Sequence, residues 1–283
     1  MKLARLGAPG HERPVAEIDG RWYELSDRFP DIDGTFFEDD GIDRVRRDAA
    51  AGRLAAREAP SASERIGAPI ARPSAVICIG MNYAAHAAES GSPPPSIPVM
   101  FLKTPNTVVG PHDDVAIPRG SSRTDWEVEL GVVIGRRASY LSSPADSPSF
   151  VAGFVAVNDV SEREFQLELS GGQWSKGKCA AGFNPTGPWL VTRDEVDPTD
   201  LRLRSWVNGE PRQDSSTKDM IFGVDYLIWH LSQHLVLEPG DLLLTGTPEG
   251  VALSGRFPYL SAGDVCEIEI TGLGRQRQEF VDA

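Results

Sequence analysis

The densest run of chemistry-bearing residues is Asp125-Trp126-Glu127-Val128-Glu129-Leu130, continuing into Gly131-Val132-Val133-Ile134. In a strand, alternation sends Glu127 and Glu129 to one face and Val128, Leu130 and Val132 to the other. Two like charges then stand side by side, each raising the other's pKa, unless solvent or a bound cation offsets the repulsion. On these residues alone the face is either an exposed acidic surface or part of a cation site. A further carboxylate, Asp159, ends the apolar run Val155-Ala156-Val157-Asn158, where its ordinary role is a turn or helix cap. If a helix follows, Asp159, Arg163 and Gln166 fall at i, i+4 and i+7, placing an acid, a guanidinium and an amide on one stripe. A solvated stripe is the alternative.

In Gly80-Met81-Asn82-Tyr83-Ala84-Ala85-His86-Ala87-Ala88-Glu89, an apolar run ends at Gly80 and an Ala-rich helical turn begins. His86 and Glu89 stand at i and i+3, within touching distance on a helix. A carboxylate beside an imidazole orients the ring and raises its basicity, which suits His86 for taking a proton from water. The plain alternative is a surface pair. Gly171-Gly172-Gln173-Trp174-Ser175-Lys176-Gly177-Lys178 sets basic residues in a glycine-rich loop that either binds an anion or is merely solvated. It lacks the Walker spacing, and no Gly-x-Gly-x-x-Gly opens a helix, so nucleotide binding has no support. Turns around Pro239-Gly240-Asp241 and Gly246-Thr247-Pro248-Glu249-Gly250 bracket a strand and expose Thr247 at its end.

Positioning these residues requires many short strands. Lys2 to Leu6, Val15 to Ile18 before the Asp19-Gly20 turn, and Arg21 to Leu25 read as a small N-terminal β unit. Ile42 to Arg57 reads as a helix, and Ala59 to Ser63 with Pro69 to Pro73 as linker. The expected division is therefore a small N-terminal β/α domain with its linker over residues 1–69, and a main domain over 70–283. Beyond Ile70 the apolar runs are short, β-branched and punctuated by Gly and Pro: Ala75 to Ile79, Val99 to Leu102, Glu127 to Ile134, Val151 to Val157, Leu201 to Val207, Leu242 to Thr245 and Val265 to Ile270. One amphipathic helix is marked by Val224, Leu227, Ile228 and Leu231. A mainly β (α+β) fold follows, without internal repeats.

The formal charge of -13 disfavours nucleic acid and anionic membrane as partners, since both need a basic surface. It leaves a small anionic substrate possible once any bound cation is counted. Cys78, Cys179 and Cys266 are far apart and form no metal-type pair, so a disulfide framework is not expected. No stretch reaches the roughly 18 apolar residues of a membrane span, and the N-terminus lacks a leader-type apolar core. The expected location is the cytoplasm.

Taken in order, the motifs Gly-x-Asn-Tyr-x-x-His-x-x-Glu, Glu-x-Glu-Leu, Asn-Asp-Val-Ser-x-Arg, Gly-Lys, Gly-Pro-Trp-Leu-Val-Thr, Val-Asn-Gly and Gly-Thr-Pro-x-Gly-Val resemble the fumarylacetoacetate hydrolase family from about Ala75 to Gly274. The resemblance implies a roll of mixed sheets and one divalent cation, Mg²⁺ or Mn²⁺, held by Glu127, Glu129 and Asp159. An all-carboxylate donor set independently suits those hard cations, whereas zinc favours His and Cys. It further implies a water-activating dyad of His86 and Glu89, with Ser90 to Pro98 as a cover. Arg163, Gln166 and Lys178 match positions that stabilise developing oxyanion charge, and Thr247 matches a substrate-contacting position.

The activity implied is hydrolytic cleavage of a carbon-carbon bond in a small 2-oxo or 1,3-dioxo carboxylic acid, by a homodimer. Alternatives on the same scaffold are an isomerase, decarboxylase or lyase acting on a related 2-oxo acid, or a silent binding protein. Two positions depart from the resemblance. Lys178-Cys179-Ala180-Ala181 stands where many members have Lys-Ser-x-Asp, and Met81 stands where members acting on simple acylpyruvates or oxaloacetate carry Arg. The stretch from Glu162 to Trp189 is more similar to members assigned to diketo-deoxy sugar acids or ureidoglycolate.

Overall fold

Asp19 and Gly20 both lie in the left-handed region, with φ of 51° and 76°, as the two-residue turn of a twisted hairpin requires. They join the strands Arg13–Ile18 and Arg21–Glu24. The computed structural model describes residues 1–283 except Ser90 and Ser92, so the expected cover over Ser90 to Pro98 lies partly outside the described residues.

The N-terminal strands share a sheet with the rest of the chain. Lys2–Leu6 pairs antiparallel with Arg13–Ile18 on one side and with Leu190–Thr192 on the other. The long sheet then continues through Val151–Asn158, Val128–Ile134, Leu242–Leu244 and Val76–Gly80 to an edge at Val99–Lys103. The Leu242–Leu244 and Val76–Gly80 pair is parallel and its neighbours are antiparallel, so the sheet is mixed. The segment expected to be helical from Ile42 to Arg57 is helical only over Gly41–Ala50. Gly52, at φ 65°, takes the left-handed conformation that ends helices, and Ala55–Arg57 instead pairs as a strand with Arg21–Glu24.

Val128–Ile134 is buried along its whole length. Val128, Leu130, Val132 and Ile134 face one apolar core, shared with the second sheet and the helix Val224–Ser232. Val133 faces another core, packed by Phe36, Phe37 and Val45. Both faces of the strand are therefore covered, and Glu129 points into the protein interior. A solvated acidic face is excluded by exposures of 5% for Glu127 and 2% for Glu129.

The second sheet runs in the order Glu210–Ser216, Arg202–Val207, Val265–Ile270, Gly274–Asp282, Val115–Ile117. Two of its strands, Glu210–Ser216 and Gly274–Asp282, carry little apolar patterning. Their inward positions include Gln213, Gln276 and Gln278, all buried, where amides replace the usual aliphatic side chains. Gln276 Nε2 donates to the carbonyls of Ala156 at 2.7 Å and Gly187 at 2.8 Å, which satisfies the donors that burial would otherwise strand. The fold is mainly β with mixed sheets. Among the described residues, no helix is long and apolar enough to cross a membrane.

Candidate active site and metal centre

The antiparallel register places Val128 opposite Asn158, bringing Glu127, just before one strand, beside Asp159, just after the other. The Asp159 N–H donates to the Glu127 carbonyl at 2.9 Å, and the Glu127 N–H donates to Asn158 Oδ1 at 3.1 Å. Glu129 Oε2 accepts the N–H of Gly246 at 2.8 Å. Gly246 has φ 93°, and a Cβ there would stand 2.9 Å from Asn82 Cβ and 3.0 Å from the Ile79 carbonyl, so the approach needs glycine. One oxygen from each of Glu127, Glu129 and Asp159 lies within 4.8 Å of the others, and all three residues are buried.

Cations surround this cluster. Lys178 Nζ donates at 2.8 Å to both Glu127 Oε2 and Asp159 Oδ2. It follows the short helix Trp174–Gly177, where a Cβ on Gly177 would stand 2.3 Å from the Glu162 carbonyl. Arg163 Nε donates to Asp125 Oδ2 at 2.8 Å, Nη1 to Gln166 Oε1 at 2.9 Å, and Nη2 stands 2.7 Å from Glu127 Oε1. Asp159, Arg163 and Gln166 do not share one helical stripe. A two-residue strand, Ser161–Glu162, intervenes and the helix covers only Arg163–Leu167, so helical spacing pairs Arg163 with Gln166 but leaves Asp159 to Lys103 and Lys178.

Two participants had no role in the sequence reading, Lys103 and Asp125. Lys103 ends the edge strand Val99–Lys103, in which Phe101 and Lys103 face inward while the other three residues are exposed. Its ammonium binds Asp159 Oδ1 and donates to the Phe183 carbonyl at 2.7 Å. In sequence it is one more lysine closing an apolar run; only strand alternation from buried Phe101 signals its direction. Asp125 accepts from Arg163 and from the N–H groups of Ala252 at 2.8 Å and Leu253 at 2.9 Å.

The electrostatics follow from this packing. Burial favours neutral Glu127, but Lys178 and Arg163 outweigh it and hold the carboxyl well below the usual range. Burial, reinforced by Asp159 and Glu127, pushes Glu129 well above it. A divalent cation would relieve that repulsion, and an all-oxygen donor set fits Mg²⁺ or Mn²⁺. Burial would neutralise Lys178, yet Asp159 and Glu127 raise its pKa further. For His86, burial lowers the pKa despite the opposing effect of Glu127, leaving a neutral ring at pH 7.

His86 sits on the helix Ala84–Glu89, anchored by Asn82, whose side chain donates to the carbonyls of Thr245 at 2.8 Å and Phe222 at 3.0 Å. His86 Nδ1 is 3.8 Å from Glu89 Oε2, outside hydrogen-bond range, and Glu89 Oε2 instead accepts the Gly250 N–H at 3.0 Å. Thr247 is engaged as well: its hydroxyl donates to the Val128 carbonyl at 3.0 Å and accepts from Gln213 Nε2 at 2.7 Å. His86, Glu89, Glu127, Glu129, Arg163, Gln166, Lys178 and Thr247 all line one cavity of about 680 Å³. A second cavity, of about 460 Å³, lies beside Arg46 and Asp194. These two pair with each other at 2.6 Å.

Residues 75–281 match the model of the fumarylacetoacetate (FAA) hydrolase C-terminal family, and the chain belongs to that family. A Burkholderia multivorans protein, named only by class as a hydrolase, is 48% identical over 284 residues, covering 98% of each chain. Among solved structures, a fumarylacetoacetate hydrolase from Exiguobacterium antarcticum is 32% identical with a TM-score of 0.85, covering 100% of both chains. A 5-carboxymethyl-2-hydroxymuconate delta-isomerase from Mycobacterium smegmatis is 34% identical with a TM-score of 0.78, covering 100% of this chain and 99% of that one. A maleylpyruvate hydrolase from Sphingobium, in complex with manganese(II) ion and pyruvate, is 28% identical with a TM-score of 0.80, covering 100% of both. The family thus spans hydrolases and isomerases.

Replacing the fully buried Lys103 by Met leaves the Asp159 charge less compensated, and removing one partner of a buried pair costs about 3–5 kcal/mol. Urea unfolding in the presence of EDTA should show Lys103→Met with a lower midpoint at unchanged slope; an unchanged midpoint would remove Lys103 from the charge balance.

Proposed function

We propose that the protein is a divalent-metal-dependent hydrolase that breaks a carbon-carbon bond in a small 2,4-dioxo carboxylic acid. The observation that carries this reading is the buried cluster of Glu127, Glu129 and Asp159, of which Glu127 and Glu129 line one cavity with His86, Arg163 and Lys178. A bound Mg²⁺ or Mn²⁺ supplies Lewis acidity toward the oxygens of a 2-oxo acid. The manganese and pyruvate in the maleylpyruvate hydrolase support that choice of ligand class.

This chain's residues then have separable tasks. His86, neutral because buried, takes a proton from water, which attacks the distal carbonyl carbon. The bond from that carbon to the methylene breaks with its electron pair moving to the methylene. One of the two water protons passes through His86 to the methylene, and the other leaves with the new carboxylic acid. The second product is the shorter 2-oxo acid. Lys178 and Arg163 offset negative charge that develops on oxygen, and Gln166 holds the guanidinium in place. Glu89 orients His86 once the 3.8 Å gap closes around substrate, as catalytic hydrogen bonds commonly tighten on binding.

We also propose a homodimer. Ile97, Met100 and Leu102 are 62%, 43% and 47% exposed at the sheet edge, an apolar surface that a symmetric second copy would cover. Light scattering at micromolar concentration should give twice the chain mass; a monomer would refute the pairing.

Glu129→Ala should lose Mg²⁺ and Mn²⁺ binding by titration calorimetry while remaining folded. Unchanged affinity would sink the metal assignment.

His86→Ala should lower hydrolysis by about 10² to 10⁴ yet retain solvent deuterium exchange at the methylene carbon of the dioxo acid, followed by NMR. Glu129→Ala should lose both. If His86→Ala hydrolyses substrate at the wild-type rate, the assignment of His86 as the base is wrong; deuterium exchange without any cleavage in the unaltered protein would favour the isomerase or lyase reading.

A further inference from the structure

The helix that carries His86, Ala84–Glu89, has 6 residues, well below the roughly 12–15 that an isolated helix needs to hold together in water. Its position is therefore set from outside. Tyr83, which precedes it, is fully buried and is not one of the small polar residues that cap a helix with their own side chains. The cap comes instead from Asp219, whose Oδ2 accepts the Ala85 N–H at 3.0 Å. That N–H lies in the first turn, where no intrahelical acceptor exists. A carboxylate there also complements the positive end of the helix dipole.

The three residues after Asp219 hold the chain just before the helix. Met220 pairs with Tyr83 in an isolated antiparallel bridge, and the Ile221 N–H donates to the Asn82 carbonyl at 2.7 Å. The Phe222 N–H donates to Asn82 Oδ1 at 2.9 Å, and the Phe222 carbonyl accepts from Asn82 Nδ2 at 3.0 Å. These bonds grip a strained backbone, since Met81 sits at φ 57°, a left-handed conformation that is costly for a long side chain. The gripping segment is itself anchored. The Thr217 N–H donates to the Leu201 carbonyl at 2.9 Å, and the Thr217 hydroxyl accepts the Leu201 N–H at 2.9 Å. On its other side begins the helix Val224–Ser232, whose Val224, Leu227, Ile228 and Leu231 pack into the core. A chain of direct contacts thus runs from the start of the second sheet through Thr217 and Asp219 to the helix bearing His86. Asp219 does not line the cavity, so it reaches the site only through that helix.

We infer that Asp219 is a positioning residue for catalysis: it caps the helix from 134 residues away in sequence and thereby holds His86 at its place in the cavity. This rests on the reading of His86 as the base. A displacement of about 1 Å costs on the order of 10² in rate, so an acid that never touches substrate governs turnover. In sequence Asp219 is one more acid beside a lysine, and no local pattern marks it.

The test uses the full chain loaded with Mg²⁺ and begins without substrate. In amide hydrogen exchange followed by mass spectrometry, Asp219→Ala should speed exchange about tenfold in the peptide spanning Ala84 to Glu89 and leave that spanning Val128 to Ile134 unchanged. Unchanged exchange at the helix overturns the cap. Equal acceleration in both peptides makes the defect global and overturns it too. Mg²⁺ affinity by calorimetry should stay within about twofold, because other bonds hold the carboxylates; its loss would place the damage at the metal cluster and count as refutation.

Kinetics on a dioxo acid that the protein cleaves then address catalysis. Asp219→Ala should lower kcat about tenfold with KM within about twofold, and Asp219→Asn, which keeps an acceptor, should restore at least about half of kcat. Equal losses in the two variants would assign the effect to charge and overturn the cap. Added to His86→Ala, Asp219→Ala should cause no further loss, since both act through one group; additive losses overturn the positioning role. If the unaltered protein cleaves no dioxo acid, the hydrolase reading fails, and hydrogen exchange alone decides whether Asp219 holds the helix.

Discussion

Four carboxylates, Asp125, Glu127, Glu129 and Asp159, are buried around one point with only three buried cations, Lys103, Arg163 and Lys178, to answer them. Buried charge is tolerated only when it is paired and hydrogen-bonded, so this cluster constrains everything packed around it. The register between Val128–Ile134 and Val151–Asn158 sets which acids meet. Gly177 and Gly246 are glycine because a Cβ would push apart the segments carrying Lys178 and the Gly246 N–H. Even the edge strand is recruited, since Lys103 reaches Asp159 from it.

The imbalance is also what gives the site its chemistry. Glu127 is held ionised by Lys178 and Arg163, while Glu129, with no such partner and two acidic neighbours, is pushed the other way. A structure built only for stability would replace such a group with an apolar side chain, because isolated buried carboxylates are costly. Retaining it makes sense for a site that gains a divalent cation, which changes the local charge more than any side chain present. The same burial that strains the carboxylates keeps His86 neutral and therefore able to accept a proton.

A hydrolase and an isomerase share this scaffold, so function resides in the site rather than the fold. This chain's cavity sets Trp174, Phe101 and Leu253 beside the charged groups, and the Lys178 ammonium lies 5.1 Å from the Phe101 ring centroid.

The sequence alone determined the acids and bases that the site could use. Glu127 and Glu129 two apart, Asp159 at the end of an apolar run, and His86 three before Glu89 are all local patterns, set by strand and helix periodicity. It also determined the β-rich character, through short branched runs between Gly and Pro. Only tertiary structure decided whether the acidic face was solvated. That choice depends on the second core behind Val133, to which Phe36, Phe37 and Val45 contribute from far earlier in the chain. It likewise decided that Arg163 reaches Asp125 and Glu127, and that Lys103 turns inward to Asp159. It placed Glu210–Ser216 and Gly274–Asp282 in a sheet whose inward positions include glutamines. Periodicity reports which side of an element is buried when burial is apolar; it is silent where buried positions are polar and satisfied by distant partners.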